Sequence, residues 1–101
     1  MDTSSKRFTI VDRDGFTISL EYNKQVPVLH LPRVEKFNKT TYLDITVAVD
    51  EIGEFLADMD YPWMFIALEP NNTVVEKLTK KLGFEYQGTD KGINVYGKEI
   101  I

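Results

Sequence analysis

A chain of 101 residues with a net charge of -4 and no cysteine is sized for one domain, and it excludes a disulfide framework or a thiolate metal site. A hydrophobic share of 43% is enough for one modest core, to which six Phe, five Tyr and one Trp bring large apolar area. The first seven residues are polar with no apolar run behind them, and no apolar stretch is long enough to cross a bilayer, so the expectation is a cytoplasmic protein without membrane partners.

In chain order, residues 1–6 read as a flexible tail and residues 7–101 as a single domain. Phe8–Val11 and Phe16–Tyr22 are β-rich runs around Asp12-Arg13-Asp14-Gly15, a hairpin signal. Asn23-Lys24-Gln25 marks a second turn, and Val26–Leu31 a third strand. Pro27 and Pro32 suit the ends of that strand or an exposed edge, because proline donates nothing to a ladder. Glu35–Lys39 is a polar loop. Tyr42–Val49 alternates Leu43, Ile45, Val47 and Val49 with Tyr42, Asp44, Thr46 and Ala48, the period of a strand. Asp50 then offers an N-cap to a helix over 50–60, with Ile52, Phe55, Leu56 and Met59 on one face and Tyr61-Pro62 ending it.

Trp63–Leu68 is a continuous apolar run, predicted as a strand buried on both faces. Asn72 caps a helix that reaches about Leu82, with Val75, Leu78 and Leu82 inward, Lys80 and Lys81 in the last turn and Gly83 at C′. Phe84–Gln87 and Ile93–Lys98 make a closing hairpin across Gly88–Gly92. The fold class is α/β (α+β): a mixed, mostly antiparallel sheet of about six to seven strands with two main helices. Strands 42–49 and 63–68 are expected to form its central parallel pair.

Residues 42–70 carry seven acidic side chains and no Lys or Arg. That excludes a nucleic-acid groove there, since phosphates need cations, and suits a protein partner with a basic surface. Asp50, Glu51, Glu54 and Asp58 fall on the predicted outer helix face, which reads equally as plain solvated surface. The glycosylation patterns at Asn38-Lys39-Thr40 and Asn71-Asn72-Thr73 are read as chance matches.

The stretch WMFIALEPNNTVVEKLTKKLGFEYQG resembles the second half of a domain of the GNAT N-acetyltransferase superfamily. It shows a buried strand, then Asn72, a helix, and Lys81-Leu82-Gly83-Phe84 leading into the next strand. Small phage-encoded proteins have cores of this kind. The resemblance covers roughly residues 42–98, more weakly 7–41, and implies acetyl-CoA as cofactor if the chain is an enzyme. It places Asn72 near the cofactor.

Three departures stand beside the match. Members of the family hold the cofactor's pyrophosphate in a loop of the type Q/R-x-x-G-x-G/A between the central strand and its helix. There glycines let backbone N–H groups crowd the phosphates. On the predicted element order that junction is Val47-Ala48-Val49-Asp50-Glu51-Ile52-Gly53-Glu54, with one glycine and three carboxylates. Val49 and Gly53 are the candidate cofactor-binding residues at that junction, beside Asn72. The family's tyrosine acid, seven residues after the Asn, is replaced by Thr79. The helices that open a full GNAT domain are absent from the segment before residue 50.

Asp44 acts as a base if its strand face is covered and is a plain surface carboxylate if it is not. Glu69 and Glu21 are further possible bases. His30, the sole histidine, faces opposite to Leu29 and Leu31 on its strand, and the sequence shows no acid to orient it. Metal sites are excluded by the lack of a converging oxygen loop. Three readings follow. The first is a reduced GNAT-fold domain that binds and modulates another protein without efficient acetyl transfer, with no cofactor expected and the acidic face as its surface. The second is an acetyl-CoA-dependent N-acetyltransferase with an atypical cofactor loop, using Asn72 and Asp44 or Glu69. The third is a subunit completed by homodimerisation through strand 26–31.

Overall fold

The structure, a computed structural model, describes residues 6–23, 26–35, 38–70 and 72–101. The predicted tail at 1–5 lies outside these, as do parts of the predicted turn at 23–25 and loop at 35–39; Lys6 already belongs to the first strand. Strands β1 (Lys6–Arg13), β2 (Phe16–Asn23) and β3 (Val26–Val34) precede helix α1 (Lys39–Asp58). Strand β4 (Trp63–Leu68), helix α2 (Thr73–Lys81), β5 (Glu85–Asp90) and β6 (Ile93–Glu99) complete the chain. One mixed sheet of six strands runs in the order β1-β2-β3-β4-β6-β5.

The parallel pair is β3 with β4, not 42–49 with 63–68, because residues 42–49 are helical. Alternation misled there because Leu43 and Val47 are apolar yet point to solvent, 50% and 56% exposed. The residues that go inward are Thr41, Ile45, Ala48, Val49, Ile52, Gly53 and Leu56, which recur at the helical period through the whole segment. The β-branched residues lose about 0.5 kcal/mol each against the best helix formers. Burying Ile45, Val49, Ile52 and Leu56 contributes about 1.5–3 kcal/mol each, which decides the matter. The N-cap is therefore Asn38, whose side chain accepts from the Thr41 N–H at 2.9 Å, and Asp50 lies in mid-helix.

Helix α2 follows the sequence reading closely. Asn72 caps it, and at its far end the N–H of Gly83 bonds to Lys80 and that of Phe84 to Thr79. This is a Schellman closure, which needs the left-handed backbone of Gly83 (φ 94°).

Leu20, Leu29, Ile66 and Tyr96 stand opposite one another across four strands and are buried. Both helices cover this face. The Tyr96 hydroxyl donates to Glu76 of α2 at 2.7 Å, and Gly53 of α1 lies against Met64. The other face carries the line Glu21, Val28, Phe65 and Gly97, with neither helix over it. Strand β3 is interior, so it is not a free edge for pairing with a second copy; the edges are β1 and β5.

Candidate functional site

Strands β3 and β4 pair over only two steps, Val28 with Phe65 and Leu29 with Ile66. Just beyond, the register of β3 against β2 slips between Arg33 and His30, opposite Thr17 and Ser19. Leu31 and Pro32 fill that irregularity. A proline that donates no ladder hydrogen bond, set in a bulge, bends the strand. The parallel strands therefore stop pairing at their carboxyl ends, the place where open α/β sheets bind ligands. A cleft of about 440 Å³ opens there, lined by Arg7, His30, Leu31, Pro32, Ala67, Leu68, Glu69, Asn72 and Ile93.

A second, larger cavity of about 840 Å³ lies on the helix-free face, lined chiefly by Val26, Val28, Phe65, Ala67, Ile93 and Val95, with Glu21, His30, Asp90 and Lys91. His30, Ala67 and Ile93 form wall in both. His30 is the one titratable group in that shared wall. Its Nε2 lies 2.6 Å from Oε1 of Glu21. Nε2–H donates to the carboxylate, which fixes the tautomer and leaves the lone pair on Nδ1. Burial lowers the ring's pKa from its ordinary 6.5; the Glu21 hydrogen bond opposes this, Arg7 adds to it, and the charge of Glu21 opposes it. The ring is therefore neutral and able to accept a proton at pH 7.

Both connections out of the parallel pair end in helix N-termini, where unpaired N–H groups favour anions. The first turn of α1 has Lys39 and no acidic residue. Glu35, just before it, is paired with Arg33 at 3.2 Å.

The predicted site residues separate into three places. Glu69 and Asn72 line the cleft beside His30. Asn72 is at once an N-cap, accepting from the Val75 N–H at 3.3 Å, and a cleft residue. Val49 and Gly53 face inward on α1 and line a third, smaller cavity with Met64 and Ile100. Asp44, Asp50, Glu51, Glu54 and Asp58 are exposed on α1. Asp44 is thus a surface helical residue and not a strand residue. The junction with three carboxylates does not exist as a loop, because residues 47–54 are continuous helix; the strand-to-helix connection runs from Val34 to Lys39 instead. Thr79 is fully buried and its hydroxyl donates to the Val75 carbonyl at 2.7 Å, so it is sealed from the cleft.

The Glu21–His30 pair is the feature that the sequence reading missed. A signal existed. The register that pairs Asn23 with Val26 sets Glu21 opposite Val28 and Ser19 opposite His30. Glu21 and His30 are then diagonal neighbours on one face. Among the described residues no cluster of His, Asp and Glu is arranged to hold a metal, and no helix is long and apolar enough to cross a membrane.

No family model matches the sequence, and no curated protein sequence does. Solved structures do match in fold. A provisionally assigned acetyltransferase of Sphaerobacter thermophilus DSM 20745 superposes with a TM-score of 0.57 at 12% identity, over 96% of this chain and 70% of that one. A GNAT-family acetyltransferase of Listeria monocytogenes 4b F2365 superposes with a TM-score of 0.51 at 21% identity, over 73% of this chain and 42% of that one. This chain therefore spans less than half of the Listeria protein. At such identities the likeness is one of fold, and the fold is GNAT-like.

Proposed function

We propose that this chain is an acyl-coenzyme A-dependent N-acyltransferase domain, with the acyl carrier in the β3–β4 cleft and His30 as the proton acceptor. The observation that carries the reading is the position of His30, braced by Glu21, in the wall common to the cleft and the larger cavity. The GNAT-like fold of two acetyltransferase structures supports it.

The cleft's own chemistry fits such a carrier. Past Leu29 and Ile66 the facing backbones of β3 and β4 no longer pair with each other, and an extended amide chain can satisfy main-chain groups there. Leu31, Pro32, Ala67 and Leu68 supply apolar wall, and Arg7 a cation. Asn72, the N-cap of α2, lines the cleft and brings a helix N-terminus to it, where N–H groups favour phosphate. A bound thioester supplies an electrophilic carbonyl. The chain's residues would handle the proton: Nδ1 of His30 would take it from the amine as the C–N bond forms and the C–S bond breaks, the imidazolium would return it to the departing thiolate, and Glu21 would hold the ring and steady the imidazolium. The cysteine-free composition suits the reducing cytoplasm, where acyl thioesters are used.

Titration with acetyl-CoA, followed by melting temperature and Trp63 fluorescence, tests the reading. Saturation at micromolar cofactor with a rise in stability is expected. No shift at millimolar cofactor would sink it.

A second reading has its own observation. On the outer side of α1, Leu43, Val47 and Phe55 are half exposed or more among Asp50, Glu51, Glu54 and Asp58. An apolar strip set in negative charge suits a partner that is basic and amphipathic, and it would serve a modulator role. Capture of such a partner that persists after charge reversal at Glu51, Glu54 and Asp58 removes this reading.

A further inference from the structure

The sheet face that neither helix covers is apolar along its middle. Val28, Phe65, Ala67 and Val95 line the larger cavity on it, and Val26 and Trp63 stand beside them, 39% and 37% exposed. A sheet face that meets water is ordinarily polar. An apolar one lacks the second layer against which sheets bury such residues. The charges on this face are arranged about its centre. One row of cross-strand partners crosses all six strands: Arg7, Glu21, Val28, Phe65, Gly97 and Glu85. The row begins with a cation and ends with an anion, and its midpoint falls between β3 and β4.

We propose that this face packs on the same face of a second copy, about a two-fold axis that runs along the strands between β3 and β4. The row then meets itself reversed. Arg7 stands over the partner's Glu85, Val28 over the partner's Phe65, and Glu21 over the partner's Gly97, which brings no like charge. Two residues earlier on the parallel pair, Val26 stands over the partner's Trp63. Arg7 also faces Glu21 across β1 and β2, and a guanidinium with five N–H donors has enough for both carboxylates. An axis across the strands would instead set Arg7 on the partner's Arg7 and Glu85 on the partner's Glu85, which like charges oppose. Helix α1, with Asp44, Asp50, Glu51, Glu54 and Asp58, packs on the far face, so its negative charge stays out of the contact. Six strands spaced about 4.8 Å apart and about 20 Å long cover roughly 550 Å². Two copies therefore bury on the order of 1,100 Å², the lower end of specific interfaces, and the dimer dissolves on dilution. The inference goes beyond the transferase reading and does not rest on it.

The test is sedimentation of the free chain from low to high micromolar concentration, beside Val26→Glu. That variant sets an unpaired carboxylate against the partner's Trp63, at a position outside the core. The axis is tested by cross-linking. The chain has no cysteine, so Arg7→Cys and Glu85→Cys each carry a single thiol, both at exposed positions. The two variants are treated with a short bismaleimide, mixed and separately. The expected result is a dimer that grows with concentration, at least tenfold weaker in Val26→Glu, with the melting temperature of the dilute protein unchanged. The mixture should give covalent heterodimers and each variant alone almost none, because each thiol lies about five strand spacings, roughly 24 Å, from its own counterpart in the partner. A monomer at every concentration would overturn the proposal and leave the face to a partner of another kind. A dimer that Val26→Glu leaves intact would overturn it too, as would cross-linking as fast in either variant alone as in the mixture. Acetyl-CoA binding, present or absent, decides the transferase reading and not this one.

Discussion

Nε2 of His30 lies 2.6 Å from Oε1 of Glu21, across the β2–β3 hairpin and nine residues apart in the chain. The contact turns a strand histidine into an oriented base whose ring borders both cavities. His30→Gln is expected to keep acetyl-CoA affinity while lowering the rate of amine acylation about 100- to 10,000-fold. Steady-state kinetics with direct cofactor titration check this; equal loss of cofactor affinity would place His30 in binding instead.

The pH dependence follows from the direction of the His30 shift. Its folded pKa lies below 6.5. Activity should rise with pH through that lower value and level off by pH 7. Glu21→Gln removes two influences that raise the pKa, so the acidic limb should move further down. Stability runs in the same sense. Below 6.5 the unfolded state takes up the proton first, so the contribution of neutral His30 is full above 6.5 and is lost as pH falls through the folded value. An acidic limb that moves upward in Glu21→Gln would contradict the orientation role.

Asn72 has two jobs that substitution can separate. Asn72→Ala should cost about 0.5–2 kcal/mol through the lost cap. Asn72→Ser should restore most of that stability in chemical denaturation. If the amide also touches the acyl carrier, neither variant regains full acetyl-CoA affinity; a Ser variant with full affinity would leave Asn72 a cap alone.

Gly53 sits inside α1, and a Cβ there would come 3.4 Å from the Met64 sulfur, near ordinary contact. Gly53→Ala should stabilise the chain by up to about 1 kcal/mol, the helix preference of alanine over glycine. Acetyl-CoA affinity should be unchanged, because the cofactor cleft is elsewhere. Asp44→Asn, on the exposed side of α1, should leave activity within error. A large loss of activity in either variant would return the site to α1.

Gly97 behaves oppositely. A Cβ there would meet the Phe65 ring at 2.9 and 3.0 Å, and Phe65 lines the larger cavity. Gly97→Ala should cost about 1–3 kcal/mol, as overpacking does. Chemical denaturation of the variant beside the unaltered chain measures that cost.

Much of the fold was legible because local chemistry and tertiary packing agreed. Asn72 and Gly83 bracket α2 as caps do, and Gly15 and Gly92 mark tight hairpin turns with positive φ. The segment 39–58 shows where legibility ended. Its period-two alternation came from Leu43 and Val47, which are half exposed or more, while the real inward set also ran at helical period from Thr41. Misreading it displaced the strand-to-helix junction by about one element, and with it the junction of one glycine and three carboxylates.

By itself the sequence determined the class of the protein, the order of most elements, the caps of α2, the inward face of Val75, Leu78 and Leu82, and the acidity of the middle third. Only the tertiary structure decided that β3 and β4 are the parallel pair, that they stop pairing past Leu29 and Ile66, and that Glu21 meets His30. The reason is physical. Caps, turns and periodicity are written in neighbouring residues, whereas a cleft between parallel strands depends on a crossover whose register no short stretch of chain encodes.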